Sequence, residues 1–283
     1  MSAASSTRRV LVLHGFTQNA NIFSNRLGAL RKQAKGVEMV FLDAPHILEL
    51  ADVPGDFYAI GGPPRSTDPA STPRAWWRWN TDSLKAIGLQ DTLAYLRDRL
   101  SAERFDGVMG FSQGAALAAL LSALLERPES YPPFLVDGEP PHPPFKFCIA
   151  VSGFKLLDPL SHEIFGSGYA TPTLHILGKT DVVVSEERSK TLLEISLNKR
   201  LEEHEGGHFV PSKNNWRTFV AEYLRSGPRA DILSPSLIKA GDSTPSSLAP
   251  SGRATPVPVN PLQQVAASST DIDPKDSNLV ASL

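Results

Sequence analysis

Gly110-Phe111-Ser112-Gln113-Gly114 is a G-x-S-x-G pentad. A serine so placed becomes a nucleophile when it occupies a sharp turn from a strand into a helix. The glycines are needed because side chains there would strike neighbouring backbone. The context fits: Phe105–Gly110 (FDGVMG) reads as a strand, and Gly114–Leu125 reads as a helix. A serine hydroxyl is a weak nucleophile without a base. Five histidines follow Ser112 in the chain, and His208 is the one in a glycine-rich loop, Glu205-Gly206-Gly207-His208, after the last strand candidate. That loop can swing an imidazole toward Ser112. His204, which ends that strand, is the second candidate; His175 sits mid-strand and reads as a core or edge residue.

The base needs an acid to fix its tautomer and to stabilise its protonated form. Asp181 leaves a strand through Leu177-Gly178-Lys179-Thr180 and stands between Ser112 and His208 in the chain. That is the serine–acid–histidine order of one class of serine hydrolases. Asp158 is the alternative acid. A developing oxyanion needs backbone N–H donors. Gln113 offers one at a helix N-terminus. Phe16, in the loop His14-Gly15-Phe16-Thr17 after the first strand, offers the other. His14 precedes Ser112 in the chain and reads as structural.

Elements that hold these residues follow from apolar patterning. Strand candidates are Arg9–Leu13, Val37–Leu42, Phe105–Gly110, Phe147–Val151 and Thr173–Leu177, with Lys199–His204 placed mainly by position. Helical patterns lie near 21–35, 83–101, 113–126, 185–196 and 213–225. Strands alternating with helices predict an α/β fold: a mostly parallel sheet of about six strands covered on both faces. Loop insertions are expected at 52–80 and 128–144, the second with seven prolines in 17 positions. No aromatic residue follows Tyr223, and eight prolines lie between 228 and 283. A catalytic domain over 7–226 and a disordered Pro/Ser/Ala-rich tail over 227–283 are therefore expected.

Composition narrows the function classes. The chain has 283 residues, 41% of them hydrophobic, and 28 basic against 30 acidic side chains. A formal net charge of −2 argues against nucleic acid as a partner. The single cysteine, Cys148, excludes an internal disulfide and any multi-cysteine metal site. The apolar run Ala115–Leu125 has 11 residues, too few to span a bilayer, and reads as a buried helix. No membrane partner is expected. The cytoplasm is the expected compartment, with the nucleus as the alternative.

Six segments, in order, carry a resemblance: LVLHGFTQNA (11–20), FLDAPH (41–46), RAWW (74–77), GFSQGAALAALL (110–121), LGKTDVVV (177–184) and HEGGHFVP (204–211). With them the chain resembles the fungal FSH-type serine hydrolases, relatives of the ovarian-cancer-associated serine hydrolase and of stand-alone polyketide-releasing thioesterases. The resemblance implies an α/β-hydrolase fold, the triad Ser112, Asp181 and His208, and no metal or organic cofactor. It implies a small acyl ester or thioester as substrate. An acyl carrier protein of a polyketide synthase, in secondary metabolism, is the narrower alternative. A non-catalytic ligand-binding relative is the further one. Phe111, Trp76 and Trp77, with Phe16, are expected to wall an apolar substrate pocket.

Overall fold

The structure, a computed structural model, describes residues 7–49, 52, 72–80, 83 and 85–238. Six strands form its central sheet: β1 (Arg8–Leu13), β2 (Val37–Leu42), β3 (Gly107–Phe111), β4 (Phe147–Val151), β5 (Thr173–Gly178) and β6 (Lys199–His204). Their order across the sheet is β6-β5-β4-β3-β1-β2, and every neighbouring pair is parallel. A parallel sheet must be buried on both faces, and its strands read as continuous apolar runs. Alternate side chains settle which face each residue serves. Leu11, Leu13, Val108, Cys148 and Ala150 join one core, while Val10, Val12, Met109, Ile149 and Val151 join the other.

Among the described residues, seven α-helices cover these faces. On the first lie α3 (Leu89–Ala102), α4 (Gln113–Glu126), α5 (Pro159–Phe165) and α6 (Glu186–Ile195). On the second lie α1 (Ala20–Arg26), α2 (Gly28–Gln33) and α7 (Asn214–Ser226). In α4 every residue from Gln113 to Leu125 is buried. Its alanines favour the helix and let it lie close on β3 and β4. Among the described residues no helix is long and apolar enough to cross a membrane.

The sheet matches the expectation strand for strand, but several other segments differ. The helix expected from 83 begins only at Leu89, because Gly88 adopts φ 86° and breaks the run. Lys85–Ile87 instead pairs antiparallel with Arg78–Asn80, and His46–Ile47 pairs with Arg74–Ala75. The 21–35 pattern divides into α1 and α2 at Leu27. The proline-rich 128–144 segment is fastened to the body rather than loose. Phe134 is fully buried, and Arg97 and Arg104 donate to the carbonyls of Pro133 and Pro141, both at 3.0 Å. Beyond Ser226 the chain continues along the body, where Asn215 donates to the carbonyl of Pro235 at 2.9 Å and Ile232 is buried. Most of the expected 52–80 loop and of the expected tail lies outside the described residues.

Candidate active site

The C-terminal edge of the sheet brings together residues far apart in the chain. β3 ends at Phe111 and α4 begins at Gln113, so Ser112 alone makes the turn. It does so at φ 52° and ψ −118°, a conformation that favours glycine and persists only where surroundings impose it. The imposition is visible. The Ser112 N–H donates to the carbonyl of Val151 at 2.9 Å, and its own carbonyl accepts from Ala115 and Ala116. A Cβ added to Gly110 would lie 2.1 Å from the carbonyl oxygen of Gly114, so position 110 admits no side chain.

Two neighbouring loops supply the other groups, and they are tied to each other. The N–H of Lys179 donates to His204 at 2.9 Å, and that of Thr180 to Gly206 at 3.2 Å. Gly178 and Gly206 permit this crossing, since a Cβ on Gly178 would sit 2.4 Å from the Gly206 oxygen. Asp181 and His208 are thereby held face to face. His208 Nδ1 lies 2.8 Å from Asp181 Oδ2, and His208 Nε2 lies 3.0 Å from Ser112 Oγ. The other carboxylate oxygen, Oδ1, accepts the N–H groups of Val183 and Val184 at 3.0 and 2.9 Å. Burial pushes the Asp181 carboxyl up, but the His208 hydrogen bond and charge and the Val184 N–H outweigh it and hold it below its ordinary value. An ionised Asp181 fixes the proton of His208 on Nδ1 and leaves Nε2 to accept from the serine hydroxyl.

The remaining candidates have other partners. Asp158 caps α5 through the Leu160 N–H at 2.9 Å and also accepts from Ala86 at 2.8 Å. It borders a cavity of about 410 Å3 between Lys85–Asp91 and Leu160 that none of Ser112, Asp181 and His208 lines. The His204 ring packs against Phe209 and Trp216, and its Nδ1 accepts from Gly206. His14 is buried at the end of β1, where Nδ1 donates to the Gly15 carbonyl and Nε2 accepts from Ala44. Burial lowers its pKa to about 4, so it is a neutral brace between β1 and the end of β2. His175 is buried within β5 and its pKa falls to about 3, also through burial.

Around the serine, Gln113 opens α4, whose first N–H groups have no carbonyl within the helix to bond. Phe16 is partly buried against Leu48 and Ala75 in the loop after β1. Phe111 packs on the His208 ring, with centroids 4.8 Å apart. The tryptophans behave differently from the expected pocket wall. Trp76 and Trp77 are 0% and 1% exposed, inside the core. The Gln113 side chain accepts the Trp76 N–H at 2.8 Å and donates to the Trp77 carbonyl at 2.9 Å. Trp76 Nε1 donates to the carbonyl of His14 at 2.9 Å. They are a brace behind the site. The side-chain role of Gln113 has no signal in the sequence, since it depends on a partner segment 36 residues away. Among the described residues no three His, Cys, Asp or Glu side chains converge as a metal site.

A family model described as "Serine hydrolase (FSH1)" matches residues 1–220. Esterase OVCA2 of Mus musculus is 36% identical over 235 residues, covering 78% of this chain and 97% of that protein. Esterase OVCA2 of Danio rerio is 34% identical over 234 residues, covering 77% and 96%. Among solved structures, Zea mays acyl-protein thioesterase 2 is similar with a TM-score of 0.52 and 20% identity, covering 80% of this chain and 95% of that one. That last likeness is one of fold.

Proposed function

The chain belongs to the FSH1 serine hydrolase family, and from that premise we propose that Ser112, His208 and Asp181 hydrolyse a carboxylic ester through an acyl-serine. His208 takes the Ser112 proton at Nε2 as Oγ bonds to the substrate carbonyl carbon. The carbonyl electron pair moves onto oxygen, where the N–H groups of Phe16 and Gln113 receive it. Collapse of this intermediate breaks the bond to the leaving oxygen, which accepts the proton from Nε2. Water then attacks the acyl-serine as His208 takes its proton, and collapse releases the acid and Ser112 Oγ, which regains the proton from Nε2. Asp181 keeps the imidazole oriented and offsets its positive charge in both halves.

The observation that carries this reading is the unbroken relay of 2.8 and 3.0 Å from Asp181 through His208 to Ser112. The esterase names of the relatives support an ester substrate. Phe111 beside His208, and half-exposed Phe209 next to it, favour an apolar acyl group. A thioester uses the same groups, with sulfur as the leaving atom. Release of an acyl or polyketide chain from a carrier protein is the narrower form of this proposal.

Labelling with a fluorophosphonate tests it. Wild type should label and Ser112→Ala should not. A folded wild type that fails to label would favour a non-catalytic ligand-binding role. Matched acyl esters, acyl thioesters and a carrier-protein thioester, compared across chain lengths, would then rank the substrate classes.

A further inference from the structure

Phe16 and Gln113, the two proposed oxyanion donors, lie on segments that one short stretch of chain joins. Residues 15–18 form a tight turn, closed by the Gln18 N–H donating to the Gly15 carbonyl at 3.2 Å. The turn lies against the serine elbow, since a Cβ on Gly15 would stand 3.0 Å from the Phe111 ring. Within it Thr17 takes φ 63°, a left-handed conformation that a β-branched residue keeps only under constraint. The constraint is a set of hydrogen bonds. The Thr17 hydroxyl donates to the Phe16 carbonyl at 2.7 Å, and the Thr17 N–H donates to the Arg74 carbonyl at 3.0 Å. The Arg74 N–H in turn donates to the Gln18 carbonyl at 3.0 Å. A little further on, the same stretch meets the Gln113 side chain through the Trp76 N–H and the Trp77 carbonyl.

The Phe16 N–H shares a planar peptide with the Gly15 carbonyl, so whatever fixes that oxygen fixes the direction of the N–H. His14 Nδ1 donates to the oxygen at 2.8 Å and the Gln18 N–H at 3.2 Å. Buried Gln18 also holds Gly15 from its other side, where the Gln18 Oε1 accepts the Gly15 N–H at 3.3 Å. Gln18 thus grips Gly15 at both N–H and carbonyl, while its own carbonyl takes the bond from Arg74. We infer that Gln18 is a positioning residue for the oxyanion site: its side chain holds the 15–18 turn so that the Phe16 N–H points at the developing charge, and residues 74–77 tie that turn to Gln113 so that the two donors keep one spacing. The inference rests on the proposed oxyanion role of Phe16 and Gln113. Gln18 acts through the Gly15–Phe16 peptide and does not touch the substrate. Its effect is felt in the transition state rather than in the bound ester, because the full charge on oxygen develops only there.

Gln18→Leu and Gln18→Met remove the amide acceptor and keep most of the bulk. Each should lower kcat for an acyl ester roughly 10- to 100-fold, the scale of misplacing a reacting group by about 1 Å, with KM changed less than about threefold. The deciding measurement compares the ester with its thionoester, in which sulfur replaces the carbonyl oxygen. Sulfur accepts hydrogen bonds weakly, so correctly aimed donors favour the ester. Wild type should prefer the ester, and both variants should lower the ester-to-thionoester ratio of kcat/KM by about tenfold. Both rates come from one preparation, so the folded fraction cancels and a loss of stability alone leaves the ratio where it was. An unchanged ratio in either variant would overturn the inference. A wild type with no preference for the ester would instead overturn the oxyanion assignment beneath it.

Discussion

Gly114 and Leu13 lie so close that an added Cβ on Gly114 would stand 2.2 Å from the Leu13 carbonyl oxygen. The first turn of α4 is thus pressed against the end of β1. The proposed oxyanion hole draws one N–H from the start of that helix and one from the loop that leaves β1, so its two donors depend on how these segments meet. Backbone blocks the space on the Leu13 side, and backbone cannot rotate away as a side chain can. Gly114→Ala should displace α4 from β1, lowering kcat/KM at least 100-fold and stability by about 2–3 kcal/mol. Steady-state kinetics beside a urea titration check both. Wild-type values would show that this contact is not needed.

Asp181 and Asp158 hold different kinds of partner, so their substitutions should separate activity from stability. Asp181→Asn keeps the side-chain shape but weakens the hold on the imidazole proton. It should cost about 10²–10⁴-fold in kcat, by analogy with other triads, and little in melting temperature. Asp158→Ala removes the cap of α5 and the acceptor for Ala86. It should cost about 1–2 kcal/mol of stability and change kcat less than threefold. The reverse pattern would make Asp158 the acid.

The six sheet strands were legible because a parallel sheet buries both faces, leaving short apolar runs such as Val10–Leu13 and Phe147–Val151. Lys199–His204 carried a weaker signal because it is an edge strand with alternate residues exposed. The paired strands His46–Ile47 and Arg74–Ala75 are two residues long, too short to show a period. Ile87 and Leu89 fall near helical spacing by coincidence, and only the left-handed Gly88 reveals that a strand ends there. The elbow and the histidine loop were legible because glycines mark places where backbone must pass close to backbone. The tryptophans misled for a physical reason. Aromatics in a Gly/Pro-rich stretch resemble a pocket wall, whereas these two are buried in the core with their backbone bonded by the distant side chain of Gln113.

His175 makes stability depend on pH. Its folded pKa of about 3 lies below the ordinary 6.5, because burial penalises the charged ring. Below pH 6.5 the unfolded chain therefore binds a proton that the folded chain refuses. Stability is complete above that pH and declines as pH falls toward 3, by on the order of 2 kcal/mol at pH 5 from this group. His175 Nε2 also has no hydrogen-bond partner, so an apolar replacement of similar size should fit. His175→Leu should match or exceed wild-type stability at pH 7.5 and lose less at pH 5. Urea midpoints at the two pH values test this, and equal losses in the two proteins would refute it.

Gln113 is expected to act twice, through its N–H at the oxyanion and through its amide on the tryptophan brace. The amide both accepts from Trp76 and donates to Trp77, a pairing that only a side chain with both functions satisfies. In Gln113→Glu the carboxylate can still accept the Trp76 N–H, but it sets an oxygen against the Trp77 carbonyl in a buried site. The result is either a repulsive contact or a carboxyl forced to stay protonated. Stability should fall by about 1–3 kcal/mol near neutral pH and recover partly as pH drops and the carboxyl gains its proton. Activity should fall too, because the peptide that presents the N–H is anchored by that amide. Gln113→Leu, which removes donor and acceptor together, should lose stability without this recovery at low pH. Parallel pH dependences for Glu and Leu would show that the paired hydrogen bonds do not hold the brace.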